Sequence, residues 1–314
     1  MNLLRRHILL NNDNQPTDKG FFIFVSRNTY SSPNTCWSFD NGKTWTYKTF
    51  NCNNTSLRVS QDLNCFLSAG FRGESNFSLD HGVTWASTPI HLDYAAISND
   101  GNVITGCQAY SRKTFRIPFP FTSYTQLYTA TQDIWTQPSI NYNGTLITGR
   151  TDSNKSAWIY DSGSTRKFFT GSTSMGQPDI ASTSNIIYWK AGSILYKSED
   201  RGNTYSIVHQ NLDTQLSFDT AERTSNTGEF FILTAQENGK VCIFYDYGNT
   251  YRLISGLSGR VIASCSSSGK YMAYTAGLNI FVSSDYGQTF QQIPYPSGLT
   301  TSGDGTTITI EDIP

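Results

Sequence analysis

The side chains that most often carry enzymatic chemistry are few and widely separated in this chain of 314 residues. The histidines are His7, His81, His91 and His209, and they form no HExxH pair; no GxSxG elbow and no phosphate-binding glycine loop accompanies them. The cysteines Cys36, Cys52, Cys65, Cys107, Cys242 and Cys265 include no CxxC pair and have no histidine at ligand spacing. Free thiols on strands are therefore expected, with Cys65 and Cys107 in apolar runs where a thiol is buried and inert. Arg58, Arg150 and Arg260 lie in or beside apolar segments and could converge as a cationic cluster, the alternative being solvated rim charges or salt bridges. The chain holds 18 tyrosines, so a tyrosine near such a cluster would be found by coincidence. Neither a metal site nor a cofactor is implied by spacing, and His81 falls in a turn where a solvent-facing side chain is expected.

What must position these residues is a β-rich body. Apolar residues make up 37% and aromatics 14%, enough for a sizeable core. Charged residues are only 15%, below the usual quarter, and Asn, Ser, Thr, Gly and Tyr take their place, a mixture that suits strands and tight turns. With 24 acidic and 23 basic residues there is no uniform field to attract nucleic acid or an anionic membrane. No apolar run approaches the ~20 residues that span a bilayer. Near the N-terminus Arg5 and Arg6 precede only Ile8, Leu9 and Leu10, too short a stretch for a signal peptide, so synthesis in a reducing cytoplasm is expected. Triplets such as Asn76-Phe77-Ser78 then carry no glycan, and release by lysis would need no signal.

A motif of the form Ser-x-Asp-x-Gly-x-Thr-aromatic recurs. Two copies are complete, at Ser38, Asp40, Gly42, Thr44, Trp45 and at Ser78, Asp80, Gly82, Thr84, Trp85. Two more change the aromatic, at Ser198, Asp200, Gly202, Thr204, Tyr205 and at Ser283, Asp285, Gly287, Thr289, Phe290. A fifth, Asp246, Gly248, Thr250, Tyr251, has Phe244 in place of serine, and a decayed sixth retains Asp161, Gly163 and Thr165. The chemistry is local: the aspartate accepts N–H bonds in a hairpin turn, glycine takes the positive φ, and the ring packs over the hairpin. Between boxes, an apolar strand, a polar turn and a second apolar strand recur, with Ser60, Ser98, Asn141, Ser182, Ser264 and Ser302 as equivalent positions, roughly 40 residues apart with one unit skipped. Seven such openings predict seven four-stranded units. The third unit has no box, since Tyr110 and Arg112 stand where Asp and Gly belong, and a plain longer hairpin is expected there. The last opening, 299–310, lacks a following box, while Phe21–Ser26 precedes the first box without a full opening. The two ends complement each other, as strands that close a ring must.

These boxes resemble the Asp-box, or BNR-repeat, propellers, a group that includes sialidases and sortilin-type receptors, and the resemblance covers essentially the whole chain. It implies an all-β, seven-bladed propeller over residues 20–314, closed by strands from both termini, with the boxes at the blade periphery between third and fourth strands. Phe115-Arg116-Ile117-Pro118 is similar to the FRIP tetrapeptide that carries one of the carboxylate-gripping arginines of sialidases. There it precedes the first box; here it follows two, near the outer end of the third unit, which would aim Arg116 outwards. Sialidases also need a tyrosine nucleophile with a glutamate and an acid/base aspartate. The favoured expectation is a non-enzymatic structural or binding module, with a sialidase-like glycosidase or a lectin-like protein as the alternative. An Arg-rich opening followed by aliphatics and a low-charge Asn/Ser/Thr/Tyr body also resembles bacteriophage virion proteins, which implies contacts with other subunits of an assembly or with a host surface glycan. Leu3, Leu4, Arg5, Arg6, Ile8 and Leu9, in residues 1–19, form an apolar-basic segment that could dock onto a neighbour, against a strand packed on the first blade or a frayed end. Trp135, Trp158 and Trp189 are candidates for sugar stacking or, alternatively, for core packing.

Overall fold

In the strand Phe21–Arg27 every residue is buried, charged end included. The computed structural model, which describes residues 20–27, 33–50, 53–71, 73–129, 138–150, 156–171, 175–216, 224–235, 238–299 and 306–314, shows how. Phe21, Ile23 and Val25 pack against Ile262 and Ala273 of one neighbouring sheet, while Phe22 and Phe24 pack against Leu57 and Phe66 of the other. Side chains alternate across a strand, so a strand covered on both faces is apolar on both, as Phe21–Val25 is before the polar pair Ser26 and Arg27.

Seven antiparallel sheets repeat this arrangement around a ring. The first holds β1 (Phe21–Arg27), β2 (Thr35–Ser38) and β3 (Thr46–Lys48). The second holds β4 (Asn53–Val59), β5 (Phe66–Phe71), β6 (Asn76–Ser78) and β7 (Ala86–Ser87), and the third β8 (Tyr94–Ile97), β9 (Val103–Gln108), β10 (Lys113–Pro118) and β11 (Thr125–Thr129). The fourth is β12 (Ser139–Ile140), β13 (Leu146–Arg150), β14 (Ser156–Asp161) and β15 (Ser164–Thr170), and the fifth β16 (Asp179–Ile180), β17 (Ile187–Ala191), β18 (Ile194–Ser198) and β19 (Ser206–His209). In the sixth, β20 (Phe231–Ala235), β21 (Lys240–Tyr245) and β22 (Thr250–Ile254) are joined on the inside by a Thr224–Phe231 bridge. The seventh is β23 (Val261–Cys265), β24 (Met272–Ala276), β25 (Asn279–Ser283) and β26 (Gln291–Ile293). The last strand, β27 (Thr306–Asp312), pairs with β1 as the innermost strand of the first sheet, Ile23 facing Ile310 and Val25 facing Ile308. The chain is thus a seven-bladed β-propeller whose first blade is shared by both ends, as the sequence predicts.

Each junction between consecutive blades carries its own apolar cluster, from Cys65 and Leu67 against Ile104 and Phe115 to Tyr188 and Leu195 against Phe231 and Phe244. Second strands such as β20 and β24 are buried throughout, whereas the outermost β3 and β22 are exposed along almost their whole length. Trp158 and Trp189 lie at 1% and 0% exposure in these junctions, so neither is available for sugar stacking; Trp135 and residues 1–19 are outside the described residues.

Two details of the repeat differ from the sequence reading. The inner turns close with an N–H bond from Ser60, Ser98, Asn141, Ala181, Ser225 and Ser266 to a carbonyl five residues on. The equivalent positions are therefore Ala181 and Ser266 in place of Ser182 and Ser264, because alternate polar residues flank each strand end. Ser302 lies outside the described residues; at the seventh turn the Ile313 N–H donates to the Gly20 carbonyl. In the third blade, Ala109–Arg112 joins the second and third strands, so the hairpin expected at Tyr110 and Arg112 is not the outer one. The connection between third and fourth strands is Phe119–Tyr124, with a cis Phe119–Pro120 bond.

Candidate functional site: the channel and the faces of the ring

Antiparallel order decides which loops share a face. The inner turns and the box hairpins lie on one side; the loops between second and third strands, and the links to the next blade, lie on the other. Four boxes form one hydrogen-bond pattern. In the first, Ser38 Oγ donates to Asp40 Oδ1 at 2.7 Å and accepts the Gly42 N–H at 2.9 Å, while Thr44 N–H and Oγ1 donate to the two carboxylate oxygens at 2.8 and 2.6 Å. The same set recurs around Asp80, Asp200 and Asp285. Donation of the Thr204 amide and hydroxyl holds the Asp200 carboxyl down at about 2. Around Asp285 burial works the other way, yet the Thr289 donors outweigh it and the group also lies at about 2.

Each box places two consecutive residues at positive φ, Asn41 with Gly42 and His81 with Gly82 among them, where the sequence suggests glycine alone. His81 is not solvent-facing: its Nδ1 lies 3.0 Å from the Leu63 carbonyl and its ring meets Phe39 edge-on. The copies at Asp246 and Asp161 are not boxes. Asp246–Gly248 is a 3-10 turn, and Thr250 already pairs with Tyr245 in the ladder. Ser162 and Gly163 make a two-residue turn, and Asp161 bonds Ser162 and Arg201 instead of a threonine. Losing the serine, which gathers the turn's amides, removes the reason for the longer loop.

The boxes also join blades. A Cβ on Gly82 would lie 2.6 Å from the Trp37 ring of the preceding blade, and one on Gly287 would lie 3.0 Å from Ile243. From the outer strands, Arg166 donates to the carbonyls of Arg201 and Gly202, and Arg252 to those of Gly287 and Gln288, so each guanidinium caps the next blade's box. Nothing in the spacing of those arginines announces this role.

The channel is lined by inner strands, and their turns cross it. Backbone N–H groups of Gln61, Asp100, Tyr142, Thr183 and Asn226 donate to the next blade's turn, and the Ser267 N–H donates to Glu311. Side chains fill the middle: Asn99 Nδ2 donates to Asn226 Oδ1 at 2.7 Å and to Ser182 Oγ at 3.0 Å, and Asn226 Nδ2 reaches Gln61 at 3.1 Å. Above this plug lies a cavity of about 40 Å³, room for two or three waters and not for a monosaccharide, lined by Arg58, Ser139, Gln177, Asp179, Thr224 and Glu311. Arg58, Ala96, Ser139, Asp179 and Glu311 all stand two residues before their blade's turn, so the topology gathers them into one layer.

Of Arg58, Arg150 and Arg260, Arg58 alone lines the axial cavity. Arg58 is buried and donates to the Leu57 carbonyl, Arg150 donates to the Met175 carbonyl, and Arg116, half-buried rather than aimed outwards, has its Nε 3.4 Å from the Gly144 carbonyl of the fourth blade. Arg260 is close enough to oppose, by its charge, the burial that pushes the Tyr94 hydroxyl up to about 12. A phenol raised in this way is a poor nucleophile. Cys36, Cys65, Cys107, Cys242 and Cys265 are buried free thiols, and burial pushes Cys242 up to about 12. Among the described residues no group of three His, Cys, Asp or Glu is placed to hold a metal, and no helix is long and apolar enough to cross a membrane.

No protein-family model matches the sequence, and no curated protein does. Solved structures do match in shape. Hydrazine synthase of Kuenenia stuttgartiensis is similar with a TM-score of 0.57 over 73% of this chain and 76% of that one, at 13% identity. The likeness is one of fold alone. Since 1326 solved chains match in this way, the fold does not choose among functions.

Proposed function

We propose that this chain is a non-catalytic propeller of the Asp-box kind that serves as a binding or structural module, contacting other subunits of an assembly such as a virion. The observation that carries this reading is a patch on the rim. Tyr205 and Ile207 at the outer edge of the fifth blade, and Tyr251 and Leu253 on β22 of the sixth, are each 47–50% exposed. Residues two apart share one face of a strand, so four large apolar side chains stand on adjacent outer edges. Large apolar side chains left exposed along open strand edges mark contact with another protein. The use of Arg58 and Arg150 on backbone carbonyls supports a module without turnover. Charge-introducing changes on this patch, Ile207→Glu with Leu253→Glu, are expected to leave the fold unchanged by circular dichroism and to abolish retention in the purified assembly. Retention at the wild-type level would refute the reading.

The alternative, a sialidase-like or lectin-like protein, has its support in the exposed Tyr110, Tyr124 and Tyr142, which sugars could stack on. A glycan-array signal without hydrolysis would favour the lectin. Release of a fluorogenic sialoside that is lost in Arg116→Ala would favour the glycosidase.

A further inference from the structure

The layer of side chains above the channel plug contains a charge that the described protein groups do not balance. Asp179 is 8% exposed, and its carboxylate accepts hydrogen bonds from two neutral hydroxyls, Ser139 Oγ and Thr224 Oγ1, each at 2.6 Å. Among the described residues it makes no ion pair. Arg58 and Glu311 line the same cavity, but their opposite charges cancel and leave Asp179 as the surplus. A buried carboxylate without a counter-charge is costly.

Gln177 supplies a second, separate sign. It is 7% exposed, lines the same cavity, and its Oε1 is buried without a hydrogen-bond partner. In extended chain, residues 177 and 179 project to the same side. An unoccupied carbonyl-type oxygen and an unbalanced carboxylate therefore meet in a space of about 40 Å³, beside the oxygens of Ser139 and Thr224.

We propose that this layer binds one monovalent alkali cation, sodium or potassium, through Asp179 and Gln177, with Ser139, Thr224 and water completing the oxygen shell. A single surplus negative charge matches a single positive one. A calcium site would call for several carboxylates among six to eight oxygens, and a divalent ion would leave excess positive charge next to Arg58. The ion would tie the fourth, fifth and sixth blades together at the axis, since Ser139, Asp179 and Thr224 come from one blade each.

The test uses the full chain in chloride salts of equal ionic strength. In sodium or potassium chloride the Tm is expected to be about 2–4 °C above that in tetramethylammonium chloride, an ion too large for the cavity. The difference should vanish in Asp179→Asn and in Gln177→Leu. Crystals soaked in thallium(I) acetate should show an anomalous peak within bonding distance of Asp179, which keeps the proposal testable if Asp179→Asn fails to fold. No peak there, together with equal Tm in all salts, would overturn it. Arg223, adjacent to Thr224 in sequence, lies outside the described residues. A salt-independent Tm that falls in Arg223→Met would assign the counter-charge to the chain itself, and would equally overturn the proposal.

Discussion

Four aspartates hold four turns through the same donors, and two of them lie near 2 where the free side chain has 3.8. Because the folded value is the lower one, the unfolded chain binds more protons between those limits, and stability rises with pH across that window. The contribution is fully present above about pH 4 and is lost as pH falls toward 2. Urea midpoints measured from pH 5 to pH 2 should therefore drop, and Asp200→Asn or Asp285→Asn should each flatten the slope. The arginine caps are a second case. Arg252 has its Nη1 2.9 Å from the Gly287 carbonyl and also bonds that of Gln288, so Arg252→Ala should cost about 1.5–3 kcal/mol by chemical denaturation. Thiols raised by burial resist modification. The five described cysteines should stay unreactive to Ellman's reagent until the protein unfolds.

At the scale of strands and turns, much was legible because period and turn chemistry are local properties. The unbroken apolar run Phe21–Val25 and the Asp-Gly turns both follow from the residues themselves, and the predicted box hairpins at Asp40, Asp80, Asp200 and Asp285 lie between third and fourth strands. Less was legible where partners come from another blade. Gly82 reads as a turn residue, yet its lack of a side chain also admits Trp37. Gly82→Ala combines strain at φ +87° with that overlap, and should destabilise by about 2–4 kcal/mol, measurable as a lower urea midpoint. The third blade is misread in sequence for a related reason: Tyr110 and Arg112 align with box positions, yet their hairpin joins the second and third strands, and a local turn carries no information on which strands it joins. Asp179 and Gln177 drew no notice in sequence, since a lone acid beside a glutamine acquires meaning only when seven inner strands meet.

For the molecule as a whole, cohesion lies in blade junctions rather than in a single centre. Trp189 is completely buried between the fourth and fifth blades, against Phe168, Phe169 and Tyr196. Trp189→Ala should cost about 3–5 kcal/mol, seen as a large fall in Tm, without altering the rim contacts of the sixth blade. The ring also has a seam. β1 and β27 are held together by ladder hydrogen bonds and side-chain packing, and Gly20 and Ile313 meet at the same end of that ladder. A force that draws these two points apart would load the rungs one after another, like a zipper, instead of all at once in shear. An optical-tweezers pull on both ends should thus yield at low force by peeling the last strand away, whereas handles attached across the first blade would meet far greater resistance.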